Sequence, residues 1–232
     1  MHYWVGSFCR IFDKKHGTPL FPAGVHAISD VIKIVDDNGN QIPDKSWMLY
    51  LLEFFNTQNI PVELNLICQF DNQDYFEAIF QGVNRYRFNK VLPLIGHSFM
   101  RMIVINKVKK QITYTLTDQV TAQSEIFEFS LGGMNFDYVG ANQFTGIEWW
   151  NKMGNFPYSI KYKVEVSQLM FGLLDKDDNE SITFVPHNSL IPNNDNSGTS
   201  YPISFQNVML RDKCVCYSIE SGNCINGIQY SI

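Results

Sequence analysis

The chain has 232 residues, of which 45% are hydrophobic, 14% are aromatic and 18% are charged, and its formal net charge is −5. This length and hydrophobic content support a folded core and exclude a chain that is disordered throughout. The acidic balance disfavours a nucleic-acid-binding surface, and no apolar stretch approaches the roughly 18 residues of a transmembrane helix. We therefore expect a globular protein whose partner is neither nucleic acid nor a membrane.

The predicted elements are almost all strands, because short runs rich in β-branched and aromatic residues follow one another along the chain. In chain order these runs occupy residues 3–11, 22–37, 47–55, 62–70, 75–83, 97–105, 111–118, 125–131, 160–172, 182–185, 203–210, 214–219 and 227–232. About a dozen strands with almost no helix predict an all-β fold, a two-sheet antiparallel β-sandwich of jelly-roll type. The strands show no clear boundary between them, so a single domain over 1–232 is expected.

Glycine- and asparagine-rich segments predict the connections between these strands. DNGN (37–40) and ESGN (220–223) are expected to be hairpin turns, because Asn and Gly tolerate a positive φ. The polar segment NNDNSGTS (193–200) is expected to be a loop.

The cysteines, histidines and N-terminus give no sign of a metal, a cofactor or a secretory signal. Cys214 and Cys216 would face the same side of a strand and make a poor mutual disulfide, although either could reach Cys224 across a hairpin. With an odd total of five, the expectation for Cys9, Cys68 and the rest is free core thiols. The five histidines have no ligand spacing and the tail has no CxxC pair, so we expect neither metal nor cofactor. The N-terminus lacks a basic segment before a long apolar run, so no secretory signal is expected.

Two glutamates flanked by aromatic residues are the candidate catalytic groups. They are Glu53 in YLLEFF and Glu148 in GIEWWNK. A carboxylate in a groove lined by Trp or Tyr is a candidate acid/base, because desolvation shifts its pKa. Trp149 and Trp150 are adjacent on a strand-like segment and, on a strand, cannot both point into one core, which favours a groove beside Glu148.

Several segments, taken in order, resemble the glutamic peptidases (eqolisins). YWVG (3–6) is similar to the W-V-G strand of that family, and TPLFPAGVHAI (18–28) is similar to its following L-Q-T-G-V strand. WMLYLLEFFN (47–56) resembles the W-Y-E-W-Y-P strand, although Leu51 replaces a Trp. TGIEWWNK (145–152) resembles the A-E-W-I-V-E segment, and the order of the later strands continues the likeness to the C-terminus.

The resemblance implies a concanavalin A-like β-sandwich that binds a peptide in a concave groove and hydrolyses it in acid. By motif, the catalytic Glu of the family corresponds to Glu148, and a groove tryptophan corresponds to Trp4. Trp149, Trp150 and Phe21 are the further candidates for ligand contacts. The catalytic Gln of the family falls at Pro22, which has no side-chain amide to orient water or stabilise an oxyanion. The sequence therefore predicts a glutamic-peptidase-like protein whose hydrolytic activity is lost or altered.

Two alternatives come from carbohydrate chemistry. In jelly-roll glycosidases two glutamates face each other on one sheet, and Glu53 with Glu148 would be that pair. A carbohydrate-binding module would instead stack sugar rings on Trp4, Trp149 and Trp150. The expected ligand is thus a peptide or a polysaccharide in a concave groove, and the oligomeric state is left open.

Overall fold

The computed structural model describes residues 2–10, 12–13, 18–19, 26–37, 46–55, 60–69, 73–132, 142–151, 161–174, 181–186, 191–194, 201–211 and 214–224. Side chains are described over residues 26–37, 46–53, 60–69, 73–132, 161–173 and 181–184. Within these ranges the regular elements are all strands, so the all-β prediction is confirmed.

The described strands form two large antiparallel sheets. The seven-stranded sheet has the order β15-β1-β12-β5-β6-β7-β8 and is built from β1 (His2–Arg10), β5 (Ser46–Phe55), β6 (Pro61–Gln69), β7 (Tyr75–Phe80), β8 (Asn84–Arg87), β12 (Asn142–Asn151) and β15 (Ile191–Asn194). The eight-stranded sheet has the order β11-β10-β9-β4-β13-β17-β16, with β14 paired to β13; its strands are β4 (Ala27–Asp37), β9 (Ser98–Asn106), β10 (Gln111–Asp118), β11 (Ser124–Ser130), β13 (Tyr162–Leu174), β14 (Ile182–Pro186), β16 (Tyr201–Arg211) and β17 (Cys214–Cys224). A short pair joins β2 (Phe12–Asp13) to β3 (Thr18–Pro19).

Two of the predicted connections are wrong. Residues 220–223, expected to form a hairpin turn, lie inside β17, where Glu220 and Ser221 pair with Ser204 and Ile203 of β16. Asn193 and Asn194, expected in a loop, lie in β15 and pair with β1. In both places a partner strand supplies the ladder hydrogen bonds, and this pairing overrides the local preference of Asn and Gly for turns. The predicted turn at 37–40 and the predicted strand at 227–232 extend outside the described residues.

The hydrophobic core lies between the two sheets and is built from alternate residues of each. β5 contributes Met48, Tyr50 and Leu52, while β9 contributes Phe99, Ile103 and Ile105, all of them buried. On β9 and β10 buried residues alternate with half-buried ones along the whole strand. This is the pattern of a sheet with one face on the core. The prediction of a buried free thiol is confirmed at Cys68, which lies in the same core.

A buried ion pair on the inner face of the eight-stranded sheet links that sheet to the other one. Arg101 on β9 and Asp30 on β4 are register partners, and the guanidinium binds the carboxylate through Nε–Oδ1 (2.9 Å) and Nη2–Oδ2 (2.6 Å). Its remaining hydrogens reach the other sheet and are donated to the carbonyls of Tyr50 (2.7 Å), Leu64 (3.1 Å) and Leu51 (3.2 Å). Arg101 therefore ties the eight-stranded sheet to strands β5 and β6.

Candidate functional site

The seven-stranded sheet has an unusual outer face, the face that points away from the eight-stranded sheet. Nearly every residue of β6 and every residue of β7 is buried, so these strands are covered on both sides. Residues that alternate with the core positions form a second apolar cluster on this outer face, made of Leu49, Leu51, Ile67 and Tyr75 with Trp47 packed against it. We call this set the outer cluster.

Three carboxylates and an amide accompany the outer cluster. Glu53, Glu63, Asn65 and Glu77 all have exposed fractions of 8% or less. Glu53 and Glu63 are direct register partners on β5 and β6. The Asn65 amide donates to Glu63 Oε2 (2.7 Å), and its oxygen accepts from the backbone N–H of Leu52 (3.2 Å). Charged side chains are seldom buried to this degree unless they are paired or hydrogen-bonded.

Two arginines on the edge strand β8 lie over the same face. Arg85 Nη1 donates to Glu77 Oε2 at 2.7 Å. Burial raises the pKa of Glu77, and the charges of Arg85 and Arg87 oppose that rise without cancelling it. The Arg87 guanidinium stands 4.2 Å from the centre of the Tyr75 ring, a cation–π distance. The Tyr75 hydroxyl in turn accepts a hydrogen bond from Gln69 Nε2 at 3.0 Å.

A cavity opens on this face beside the outer cluster. It has a volume of about 240 Å³ and is lined by Trp47, Leu49, Ile67 and Arg85. The described lining is therefore apolar and aromatic apart from the Arg85 guanidinium. A concave apolar site with a few polar groups is the usual form of a ligand pocket.

The strand register relates the sequence-predicted residues to this face. Glu148 on β12 pairs with Trp4 of β1 and with Leu49 of β5. Trp150 pairs with Trp47, whereas Trp149 pairs with the core residue Met48. The sheet therefore brings position 148 next to position 4 and next to the described cavity.

Glu53 lies on the outer face but not beside Glu148. Its register partners are Phe144 and Glu63, so positions 53 and 148 stand four residues apart along β5. Phe21 and Pro22 lie outside the described residues.

Sequence reasoning missed the polar residues of the outer face on β6, β7 and β8. Glu63 and Asn65 alternate with core residues such as Leu64, and an alternating polar residue ordinarily points to solvent. A signal was present in VELNLICQ, since Ile67 on the same face is apolar. A strand with apolar residues on one face, and with both polar and apolar residues on the other, indicates that both faces are buried.

Within the described ranges no group of three or more His, Cys, Asp or Glu is arranged to hold a metal ion. The described part of the chain likewise contains no helix with the length and apolar character needed to cross a membrane.

Comparison with known proteins finds similarity of structure without similarity of sequence. No family model and no curated protein matches the chain. A crystal structure of scytalido-glutamic peptidase with a transition-state analogue inhibitor matches 94% of this chain and 97% of its own, with a TM-score of 0.56 and 11% identity. SCP-B, a member of the eqolisin family in complex with the tripeptide Ala-Ile-His, matches the same shares with a TM-score of 0.53 and 11% identity. The lectin UEA-II complexed with galactose covers 66% of this chain and 75% of its own at a TM-score of only 0.38 and 10% identity. The chain is thus similar in fold to the eqolisin glutamic peptidases, as a two-sheet antiparallel β-sandwich.

Proposed function

We propose that the chain is a peptide-binding protein of glutamic-peptidase type, with its ligand on the outer face of the seven-stranded sheet and Glu148 as its acid/base residue. The observation that carries the proposal is the register in which Glu148 stands between Trp4 and Leu49. Residues directly opposite in an antiparallel sheet share a face, and Leu49 lines the outer-face cavity. A carboxylate at this point would lie between a tryptophan and an apolar pocket.

The chemistry at this site depends on a partner for the carboxylate. A glutamate can take a proton from water, but the developing oxyanion also needs a donor, and removing one such donor costs about 10²–10³ in rate. The resemblance to the glutamic peptidases assigns that donor to position 22, where this chain has proline. We therefore propose that the protein retains the peptide groove and has lost efficient hydrolysis.

The test measures binding and cleavage separately on the full chain. We expect unfolded casein peptides to bind at pH 3–5 without measurable cleavage, and Pro22→Gln to gain cleavage that Glu148→Gln then removes. Glu128→Gln is the control, because Glu128 is an exposed glutamate on β11 of the other sheet. Cleavage by the wild type that requires Glu148 would overturn the proposed loss of activity, and the absence of any peptide binding would overturn the groove.

Carbohydrate binding is the second candidate, favoured by the pairing of Trp150 with Trp47, since adjacent tryptophans on a sheet suit the stacking of sugar rings. The glycosidase alternative has less support. Four residues along a strand span about 13 Å, whereas paired carboxyl groups in glycosidases lie roughly 5–9.5 Å apart. A glycan array separates the candidates: binding to glycans with no binding to peptides favours the second.

A further inference from the structure

We propose that the cavity lined by Trp47, Leu49, Ile67 and Arg85 is a subsite for acidic peptide segments. A large apolar side chain of the peptide would fill the cavity, and a neighbouring carboxylate of the peptide would bind the Arg85 guanidinium. This inference rests on the proposed peptide groove and names the kind of peptide that the groove selects.

The size and lining of the cavity fit an aromatic or long aliphatic side chain. Its volume is about 240 Å³, whereas a cavity of roughly 150 Å³ is enough to hold a benzene ring. Leu49 and Ile67 are almost fully buried, and Trp47 packs against them in the same apolar cluster. An aromatic ring against this cluster gains both area burial and ring contacts.

Arg85 supplies the charge that selects a carboxylate. Its side chain is 53% exposed and extends from β8 to Glu77, which accepts a single hydrogen bond from Nη1. A guanidinium has five N–H donors, so donors remain for a second carboxylate in the bidentate geometry that arginine favours. Among the described residues that line the cavity, Arg85 is the charged one, and this favours an anionic group as the ligand.

The Glu77 carboxylate and the ligand carboxylate compete for Arg85. Burial of Glu77 weakens its part in this competition in acid. Among the described residues, the groups near Glu77 are Arg85 and Arg87 on β8, and Asn65 directly opposite on β6. Glu63, diagonally opposite on β6, is bound by the Asn65 amide, and Tyr75 lies next but one on the strand of Glu77. Because burial raises the pKa of Glu77, this carboxyl takes up a proton at a higher pH than an exposed ligand carboxylate does. As pH falls, Arg85 therefore loses its internal partner first, and the preference for an acidic ligand should be greater at pH 5 than at pH 8.

The experiment compares blocked hexapeptides that contain Phe-Glu, Phe-Gln or Ala-Glu at the same place, with binding to the full chain measured by calorimetry at pH 5. We expect the Phe-Glu peptide to bind about tenfold tighter than either relative, which corresponds to roughly 1.4 kcal/mol. In Arg85→Gln the Phe-Glu and Phe-Gln peptides should bind equally. Lys109→Gln is the control, because it removes an exposed cation in the turn after β9 on the other sheet, and it should keep the preference.

The outcomes distinguish this inference from the proposed function. Equal binding of all three peptides by the wild type, or a preference that persists in Arg85→Gln, overturns the subsite and leaves the peptide groove standing. Binding of acetyl-Phe-Glu that depends on Arg85, without binding of longer peptides, supports the subsite while the proposed function fails. No binding of any peptide overturns both. Circular dichroism melting of each variant confirms that it is folded.

Discussion

The two sheets of the sandwich differ most on the faces that point away from each other. On β10 the outer positions carry Thr113, Thr115 and Thr117, all half-buried, in strict alternation with core residues. On β6 and β7 the outer positions include Glu63 and Glu77, and they are buried. A sheet face that only meets water needs neither buried acids nor a cavity. Outer positions of β4 on the eight-stranded sheet, such as Val31, are buried as well. What distinguishes the outer face of the seven-stranded sheet is therefore its buried acids, and these support the proposed ligand site there.

Two carboxyl groups, one on each sheet, have pKa shifts in opposite directions. Burial raises the pKa of Glu77 on the seven-stranded sheet above its usual value. At Asp118 on the eight-stranded sheet burial acts in the same direction, but hydrogen bonds from His97, Thr121 and Val120 outweigh it and lower the pKa. Glu77 therefore resists ionisation, whereas Asp118 favours it.

The largest effect is expected when the link between the sheets is cut. Arg101→Met removes the buried cation that joins Asp30 to the carbonyls of β5 and β6, and it should lower the free energy of unfolding by about 3–5 kcal/mol. The Asp30 carboxyl, whose pKa burial already raises, should then become protonated. Urea denaturation followed by circular dichroism measures the loss.

Two further variants test whether the loss comes from the ion pair. The double variant Arg101→Met with Asp30→Leu should recover much of the stability, because no unpaired charge remains in the core. Lys109→Met, an exposed lysine in the turn after β9, should change little. A single variant as stable as wild type would show that the two sheets are held together without this link.

A smaller effect is expected from the tyrosines that cross the core. The Tyr50 hydroxyl donates to the carbonyl of Tyr162 (2.8 Å) and accepts from its N–H (2.7 Å). Tyr50→Phe leaves the buried carbonyl and N–H of Tyr162 without this partner, and it should lower the free energy of unfolding by about 2–3 kcal/mol. Tyr114→Phe loses one longer bond, to the carbonyl of Ile79 (3.2 Å), and should cost about 1 kcal/mol. Chemical denaturation of both variants gives the comparison, and equal losses would contradict the assigned roles.

The smallest effects are the pH dependences, which should have opposite signs at Asp118 and at Glu77. The lowered pKa of Asp118 stabilises the fold above its unfolded pKa, and this contribution is lost as pH falls through the folded value. Asp118→Asn should therefore cost about 1–2 kcal/mol at pH 6 and less at pH 3. The raised pKa of Glu77 means that the wild type loses stability relative to Glu77→Gln as pH rises from about 4. Unfolding curves from pH 3 to 8 test both signs, and parallel pH profiles of the two variants would contradict the comparison.

The fold was predictable where a strand has one face on the core. The alternation in QITYTLTD matches β10 over the same residues, 111–118, and the strand rather than helix predicted at 47–55 is confirmed as β5. The error at 220–223 arose because the pairing that extends β17 comes from β16, and no local pattern reveals it.

The candidate site was predictable only in part. Aromatic neighbours pointed to Glu53 and Glu148, and Glu53 lies on the outer face next to Glu63. The cavity and its arginine were not predicted, because Trp47, Ile67 and Arg85 come from three different strands and meet only in the folded sheet. The partner of Arg101 is 71 residues away in sequence, so a buried role for this arginine could not be read from its neighbours.

The contacts of Arg101 with three carbonyls have a mechanical consequence. Its donors reach Tyr50, Leu51 and Leu64 at fixed points on β5 and β6, whereas apolar side chains between sheets would tolerate a small sliding motion. A shift of one layer over the other by a single residue would move the guanidinium away from every one of these oxygens. The hydrogen bonds of Arg101 therefore set the alignment of the two sheets. They thereby also fix the position of Leu49, which lines the cavity, relative to the eight-stranded sheet.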